Sequence, residues 1–196
     1  MPLQLHFIRH GRTTAPAGVL LGATEALLSE QGRRQCVGLG PRLPKELPCL
    51  CSPMERTRQT LEELRSQGAV AGVVIDDRLR EIDFGDWEMK SFAELVEQGA
   101  DIDAWQEYHH FCFPGGEAIA DFVTRLRSLA DEWQLQAEEE RDKELLVITH
   151  GGVIRTMLCL LLGLDHKNYL LFDIGYGSWT TVVLHSGGGV LTGLNR

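Results

Sequence analysis

Two histidines in this sequence each stand at the end of an apolar stretch and are each followed by glycine. Arg9-His10-Gly11 ends a stretch in which apolar and polar residues alternate from Leu3, and Thr149-His150-Gly151-Gly152 ends the almost wholly apolar run 145–149. A neutral imidazole is an adequate nucleophile near pH 7. A glycine beside it lets the backbone approach a ligand, with N–H groups free to face an anion. These two segments therefore indicate anion chemistry at the ends of two strands.

Two arginines and one glutamate extend this set. Arg9 precedes His10, Arg56 ends the segment Ser52-Pro53-Met54-Glu55-Arg56, and Glu81 lies in a loop after a further apolar run. Guanidinium groups bind phosphate oxygens in pairs, and a carboxyl group can protonate a leaving oxygen. Because the carboxyl ends of parallel strands meet at one edge of a sheet, we predict that these side chains converge there with the two histidines. The chemistry that they favour is phosphoryl transfer, with His10 as the nucleophile.

Each of these residues also has an ordinary structural interpretation. A single histidine after a strand is more often a hydrogen-bonded core residue, and Arg56 or Glu81 alone would be interpreted as a surface charge. Two histidines in the same setting favour the catalytic interpretation. Trp87 fits packing and a substrate platform equally well. His109-His110 has no chelating partner at a useful spacing, so we predict no metal site there and a place on the surface or at the substrate rim.

The elements that must position these residues alternate between strands and helices. Apolar runs and alternation predict strands at 3–8, 47–52, 73–75, 145–149, 179–184 and 190–194. Helical periodicity, caps and breakers predict helices at 29–43, 54–67, 91–98, 102–108, 117–139 and 153–162. The segments 13–25 and 76–88 are predicted loops. This order predicts an α/β fold, a three-layer α/β/α sandwich with a mainly parallel sheet and an antiparallel pair near the end. We expect one domain over 1–196, with a small helical cap at about 91–113.

The composition limits the partners of the chain. A formal net charge of −9 argues against a nucleic-acid or an anionic-membrane surface, since both need a basic face. The five cysteines are odd in number and form no C-x-x-C pair, which fits reduced thiols and a cytoplasmic location. We also see no leader segment and no apolar run long enough to span a bilayer. The strand at 179–184 could offer an edge for a homodimer.

Five short motifs follow one another in an order that resembles a known family. They are R-H-G at 9–11, S-P-x-x-R at 52–56, L-x-E and F-G-x-W-E within 79–88, P-G-G-E at 114–117 and T-H-G-G at 149–152. Together they touch most of the chain and resemble the histidine phosphatase superfamily, also called phosphoglycerate-mutase-like. The resemblance implies the phosphoglycerate-mutase-like fold and a metal-independent phosphomonoesterase that needs no cofactor and acts on a small phosphorylated metabolite.

The resemblance also implies a role for each residue. His10 attacks phosphorus and forms a phosphohistidine, while Glu81 protonates the leaving group and later activates water. The residues implied to hold the phosphate are Arg9, Thr13, Gly22, Arg56, His150 and Gly151. Only one imidazole nitrogen of His10 carries a proton, and we expect the backbone oxygen of Gly11 to accept its hydrogen bond.

Two departures from the family pattern narrow the interpretation. The position six residues after the nucleophile, where family members often carry Asn, is Pro16, which places one phosphate contact in doubt. The Arg-Arg-Ser-Tyr stretch of the phosphoglycerate mutases is absent and the chain is shorter, which favours water as the acceptor. The segments 84–88 and 113–117 most resemble those of the α-ribazole phosphatases of cobalamin assembly. A phosphoglycerate-type mutase and a non-catalytic module that binds a phosphorylated ligand remain as alternatives.

Overall fold

The computed structural model describes residues 2–138 and 143–196. In this part of the chain the strands are β1 Leu3–Arg9, β2 Leu47–Cys51, β3 Val70–Ile75, β4 Lys143–Thr149, β5 Trp179–His185 and β6 Gly188–Gly193. The α-helices are α1 Glu30–Leu39, α2 Glu55–Ser66, α3 Phe92–Glu97, α4 Ile119–Glu138 and α5 Gly151–Leu161. Short 3₁₀ helices lie at Gly40–Arg42, Asp77–Leu79, Gly85–Trp87, Asp103–His110 and His166–Leu171.

The strands form one sheet in the order β3-β2-β4-β1-β5-β6. β1 and β2 both pair parallel to β4, and β3 pairs parallel to β2, whereas β5 and β6 are antiparallel. Arg9 pairs with Thr149, so β1 and β4 end side by side. The predicted mainly parallel sheet is confirmed. The expectation that 179–184 forms an edge is wrong, because β6 folds back and pairs with the outer side of β5.

Helices cover both faces of the sheet. Leu5 and Phe7 of β1 are fully buried in a core shared with α4 and α5, and the Phe7 ring lies 5.8 Å from that of Trp133. Ile8 faces the opposite way, into a second core with α1 and α2. Burying one such side chain contributes about 1.5–3 kcal/mol. The three-layer α/β/α sandwich predicted from the alternation of elements is confirmed.

Several boundaries differ from those expected. α1 ends at Leu39, four residues early, because Pro41 lacks an N–H and its ring would clash with the preceding turn, so the chain continues as a 3₁₀ turn. β3 begins at Val70, earlier than the predicted residue 73, and its register with β2 shifts between Leu47 and Pro48. The helix expected to end at 139 is described as far as Glu138, and residue 139 lies outside the described residues.

α3 and the 3₁₀ helix Asp103–His110 occupy the segment expected to form the cap, and they lie against an aromatic cluster. Trp87 is 5% exposed, and its ring lies 5.5 Å from that of Phe111 and 5.6 Å from that of Phe113. Of the two interpretations of Trp87, the structure supports packing. No helix within the described ranges is long and apolar enough to cross a bilayer.

Candidate active site

The two histidines meet at the carboxyl edge of the sheet, as predicted. His10 follows β1 and His150 follows β4, and their ring centroids lie 5.2 Å apart at a steep angle. His10 is 4% exposed and His150 is fully buried. The paired ends of β1 and β4 therefore place both imidazoles in one buried cluster.

The proton of His10 has a defined position. Its Nδ1 lies 2.8 Å from the carbonyl oxygen of Gly11, the acceptor expected from the sequence. A carbonyl only accepts, so Nδ1 carries the hydrogen and Nε2 keeps its lone pair. Burial lowers the pKa of His10 well below its usual 6.5, and the charges of Arg56 and Arg9 lower it further. His10 is therefore a neutral imidazole with a free nitrogen at pH 7.

Gly11 serves packing rather than the ligand. Its N–H donates to Thr60 Oγ1 at 3.2 Å, and a Cβ at this position would lie 2.4 Å from the carbonyl oxygen of Gly32 in α1. The expectation of a free N–H facing an anion is wrong here, because the α2 hydroxyl already accepts that N–H. The lack of a side chain instead lets α1 approach the turn that carries His10.

Arg9 lies against the N-terminal end of α5. Its guanidinium carbon is 3.7 Å from the centroid of the Tyr176 ring, and its Nη1 donates to the carbonyl of Ile174. A Cβ on Gly151 would lie 3.1 Å from this guanidinium, so a side chain there would crowd Arg9. Arg9 Nε is buried and has no hydrogen-bond partner among the described residues. The group is thus positioned while keeping donors for an anion.

Arg56 is fully buried on α2 and is held by three acceptors. Nε donates to His150 Nδ1 at 3.1 Å, Nη1 to the carbonyl of Thr24 at 2.9 Å and Nη2 to the carbonyl of Gly22 at 2.6 Å. A guanidinium has five N–H groups, so two remain. Arg56 can therefore present two donors without rearranging.

Both ring nitrogens of His150 have protein partners. Since an arginine Nε only donates, His150 Nδ1 accepts from Arg56, and Nε2 carries the hydrogen that Ser52 Oγ accepts at 2.8 Å. Burial, first of all, and then Arg56 lower the pKa of His150 well below 6.5. For His150 to bind a phosphate directly, it would have to give up its hydrogen bond to Arg56 or to Ser52. With both bonds in place, His150 orients Arg56.

Gly22 lacks the free N–H that the expected phosphate contact would use. Its N–H donates to Glu88 Oε2 at 3.1 Å, and Glu88 also accepts from the N–H groups of Ala23 at 2.7 Å and Thr24 at 3.3 Å. The N–H of Gly22 is therefore engaged, and its carbonyl holds Arg56. The glutamate of the F-G-x-W-E motif thus shapes the loop that positions Arg56.

The other expected contact of this segment, Thr13, stands at its beginning. Thr13 is 6% exposed and bridges Leu28 through its backbone. Pro16 is exposed. The phosphate contact of Thr13 therefore stays a prediction, and Pro16 offers no side-chain amide for one.

Glu81 is aimed at the start of α5. Its Oε2 accepts the N–H of Gly152 at 2.9 Å, and its Oε1 accepts the N–H of Ile82 at 3.2 Å. A Cβ on Gly152 would lie 2.5 Å from Oε1. The carboxyl group lines the same cavity as Arg9, His10 and Gly151. The predicted convergence of Glu81, His10 and the first turn of α5 is observed.

An arginine that the sequence did not suggest holds the loop of Glu81. Arg125 donates to both carboxylate oxygens of Glu117, at 2.8 and 3.0 Å, and to the carbonyls of Arg78, Arg80 and Glu81 at 2.7, 2.8 and 3.2 Å. All five N–H groups are thus used. The glutamate of the P-G-G-E motif fixes Arg125, and Arg125 fixes the loop.

The cavity beside these groups has a volume of about 820 Å³. Its other walls are largely apolar and aromatic, and are formed by Leu20, Phe84, Phe92, Trp105, Tyr108, Ile119, Phe122, Tyr169 and Leu170. Tyr176, which the sequence analysis missed, lines the cavity and lies 5.6 Å from the His10 ring. One side of the cavity is therefore suited to an anion and the rest to an apolar or aromatic group.

The structure also changes the expectation for His109, which lies outside the lining of this cavity. The sequence offered His109 no chelating partner, but the structure brings Asp165 and His166 to it, with one donor atom of each residue within 4.8 Å of the others. Local spacing could not show this, because the partners come from a segment far along the chain.

Comparisons with known proteins agree with the geometry. The family model described as Histidine phosphatase superfamily (branch 1) matches residues 5–196. The glucosyl-3-phosphoglycerate phosphatase of Mycobacterium tuberculosis is 32% identical over 193 residues, 93% of this chain and 86% of that protein. The adenosylcobalamin/alpha-ribazole phosphatase of Escherichia coli is 27% identical over 199 residues, 98% of this chain and 96% of that protein.

Solved structures give the same result. The crystal structure of the alpha-ribazole phosphatase from Shigella flexneri matches with a TM-score of 0.83 at 28% identity, and covers 98% of this chain and 96% of that one. The motifs, the convergent histidines and arginines, and a family match over nearly the whole sequence point the same way: this chain belongs to the histidine phosphatase superfamily.

Proposed function

We propose that this protein is a metal-independent phosphomonoesterase that works through a phosphohistidine at His10. The observation that carries the proposal is the bond of His10 Nδ1 to Gly11, which leaves the lone pair of Nε2 free. The guanidinium groups of Arg9 and Arg56 nearby keep unused donors. Phosphoryl transfer requires positioning and charge stabilisation more than covalent assistance, and the two arginines supply both.

In the first step, Arg9 and Arg56 bind the phosphoryl oxygens and His10 Nε2 attacks phosphorus. The bond from phosphorus to the leaving oxygen breaks, and the protonated carboxyl of Glu81 delivers its proton to that oxygen. The Nδ1–H bond to Gly11 stabilises the positive charge that forms on the ring. In the second step Glu81 takes a proton from water, the hydroxyl oxygen attacks phosphorus, and the bond to Nε2 breaks to release inorganic phosphate.

His150, in this proposal, positions Arg56. Its Nδ1 accepts from Arg56 Nε, and its own orientation comes from Ser52. The contact expected between Gly22 and phosphate becomes indirect in the same way, through the carbonyl that holds Arg56.

We further propose that the substrate is an alkyl phosphate whose alcohol part carries an aromatic base, and that α-ribazole 5′-phosphate is the best candidate. The support is the aromatic lining of the cavity, with Phe92 stacked on Trp105 at 5.9 Å and Tyr108 on Tyr169 at 4.8 Å. Stacked aromatic faces favour a flat apolar group. The relative that is named an alpha-ribazole phosphatase is consistent with this choice, whereas the relative named for glucosyl-3-phosphoglycerate provides the polar competitor.

A labelling experiment tests the mechanism. The enzyme is mixed with a ³²P-labelled substrate, quenched and mapped; we expect acid-labile label on the peptide that contains His10 and none in His10→Ala. Stable labelling of His10→Ala would contradict the proposal. Folding of the variant is checked by circular dichroism and by its unfolding curve.

A product assay tests the alternatives. We expect release of inorganic phosphate from α-ribazole phosphate with a higher kcat/KM than from phosphoglycerates or sugar phosphates. Retention of the phosphoryl group on an isomerised product, with priming by a bisphosphate, would instead identify a mutase. Tight vanadate binding without turnover on any ester would identify a binding module.

We expect a cytoplasmic protein, and the five free cysteines are consistent with a reducing compartment.

A further inference from the structure

A second group of chemically active side chains lies at the junction between the cap and the segment after α5. His109 comes from the 3₁₀ helix of the cap, whereas Asp165 and His166 stand at the start of the 3₁₀ helix His166–Leu171. These three residues are outside the lining of the catalytic cavity, but their neighbours Tyr108 and Lys167 are part of it. The cluster therefore joins two walls of the substrate cavity.

The donor atoms are close to the spacing that a metal ion requires. His109 Nε2 lies 3.3 Å and His166 Nδ1 lies 3.9 Å from Asp165 Oδ1. Zinc ligands at about 2.0–2.1 Å in a tetrahedron are separated by about 3.4 Å. The first pair already has this separation and the second is slightly wider. All three donor atoms lie within 4.8 Å of one another, so the side chains must turn toward a common ion to bind it.

The surroundings orient the donors and leave room for further ligands. The rings of His109 and His166 are perpendicular with centroids 4.4 Å apart, and the His166 ring lies 5.7 Å from that of Tyr108. Asp165 Oδ1 also accepts the N–H of Lys167 at 3.0 Å, which fixes the carboxylate as outer partners do in metal sites. The side chains of His109 and Asp165 are each 41% exposed, so water can complete the coordination.

One contact opposes a metal. Lys167 Nζ lies 3.7 Å from Asp165 Oδ2, and the side chain is 58% exposed. An exposed ion pair of this kind contributes little, about 0–1 kcal/mol, and the lysine can turn into solvent. It reduces the affinity of the cluster for a cation without blocking the donor atoms on the opposite side of the carboxylate.

We propose that His109, Asp165 and His166 bind a divalent transition-metal ion that prefers nitrogen ligands, such as Zn²⁺. Two imidazoles and one carboxylate with open positions are a donor set of this class. The ion takes no part in phosphoryl transfer. It joins the cap to the wall that carries Tyr169, whose ring already stacks on Tyr108 at 4.8 Å, and so restrains the mouth of the cavity.

Metal titration of the full chain tests the proposal. Zn²⁺ is titrated against a chromophoric chelator, and Co²⁺ is followed by its visible absorption, both with vanadate present to occupy the His10 cluster. We expect one tight site in the native protein and in His110→Ala, which changes the exposed neighbour of His109. His109→Ala and His166→Ala should bind about tenfold more weakly or worse, because each loses one of three protein ligands.

Thermal unfolding gives an independent readout. Zn²⁺ should raise the Tm of the native protein and of His110→Ala, since it binds only the folded state, and should raise the Tm of His109→Ala much less at the same Zn²⁺ concentration. Metal-free unfolding curves establish that each variant folds. Equal affinity in all variants, absence of uptake by the folded native protein, or uptake that vanadate abolishes would each overturn the proposal; the second outcome would leave His109 and Asp165 as a simple ion pair.

Discussion

Arg56 donates its Nε–H to Nδ1 of His150 at 3.1 Å, and both groups are fully buried. The second histidine of the site is therefore bonded to an arginine, and its remaining nitrogen is bonded to Ser52. The orientation of Arg56 thus depends on a hydroxyl group that lies 98 positions away from His150 along the chain.

This chain of bonds predicts an effect of Ser52→Ala on turnover. Loss of the hydroxyl leaves the His150 Nε2–H without a partner and frees the ring to turn, so Arg56 loses its fixed position. An unsatisfied buried donor costs about 1–3 kcal/mol. If this whole cost raises the activation free energy, kcat/KM falls by about 5- to 150-fold. Vanadate should also bind more weakly. Ser66→Ala, which removes an exposed hydroxyl at the end of α2, the helix that carries Arg56, is the control. An equal fall there would contradict the argument.

The buried histidines predict that stability falls in mild acid. Because burial lowers the pKa values of folded His10 and His150 well below 6.5, the unfolded chain binds protons below about pH 6.5 that the folded chain does not. The free energy of unfolding therefore falls as pH falls from 6.5, by about 1.4 kcal/mol per pH unit for each histidine. Urea unfolding at pH 7.0, 6.0 and 5.5 measures this slope. In His10→Asn the slope should be smaller by about one proton, and an unchanged slope would show that His10 protonates normally.

The proposed acid role of Glu81 predicts a dependence on the leaving group. Glu81→Gln cannot donate a proton, so hydrolysis of alkyl phosphates should slow by about 10²–10⁴-fold. Hydrolysis of p-nitrophenyl phosphate should slow much less, because its leaving group departs without a proton. The comparison of kcat/KM for the two esters decides the role. Asp77→Asn, at an exposed carboxylate of the same loop, is the control; equal losses on both esters with Glu81→Gln would count against an acid.

The bonds of Arg125 predict that it acts through Glu81. Arg125→Lys cannot span Glu117 and three carbonyls at once, so the Glu81 loop should loosen and kcat for alkyl esters should fall with little change in KM. The reduction should disappear in a Glu81→Gln background, where no acid remains to be positioned. Arg127→Lys, an exposed neighbour on α4, should have no effect. Additive losses in the double variant would mean that Arg125 only stabilises the fold.

The cavity walls predict selectivity at Phe92. Its ring stacks on Trp105 at 5.9 Å and lines the cavity, although it is 46% exposed. Phe92→Ala should raise KM for α-ribazole phosphate by about 2- to 10-fold, the worth of one aromatic contact. KM for a small alkyl phosphate should stay the same. Val96→Ala, also exposed on α3, provides the matched control, and a uniform rise in KM for all esters would exclude a selective contact.

Much of the fold and the centre of the site could be predicted from local patterns. The alternation at β1 and the apolar run of β4 indicate parallel strands, and parallel strands end at one edge, so Arg9, His10 and His150 had to lie near one another. The structure bears this out, with the rings of the two histidines 5.2 Å apart. The same patterns misjudged the end of α1 and the edge of the sheet, because these depend on how Pro41 and β6 pack rather than on periodicity.

The sequence by itself determined which residue types stand at the ends of the strands, since a period of two or of 3.6 residues is a local property of the chain. Only the tertiary structure decided how those residues are held: Tyr176 under Arg9, Ser52 on His150, Glu88 on the Gly22 loop and Arg125 on the Glu81 loop. The same holds for the meeting of His109 with Asp165 and His166. Each of these contacts joins segments far apart in the chain, and their distance is set by how helices pack on the sheet, which no local pattern encodes.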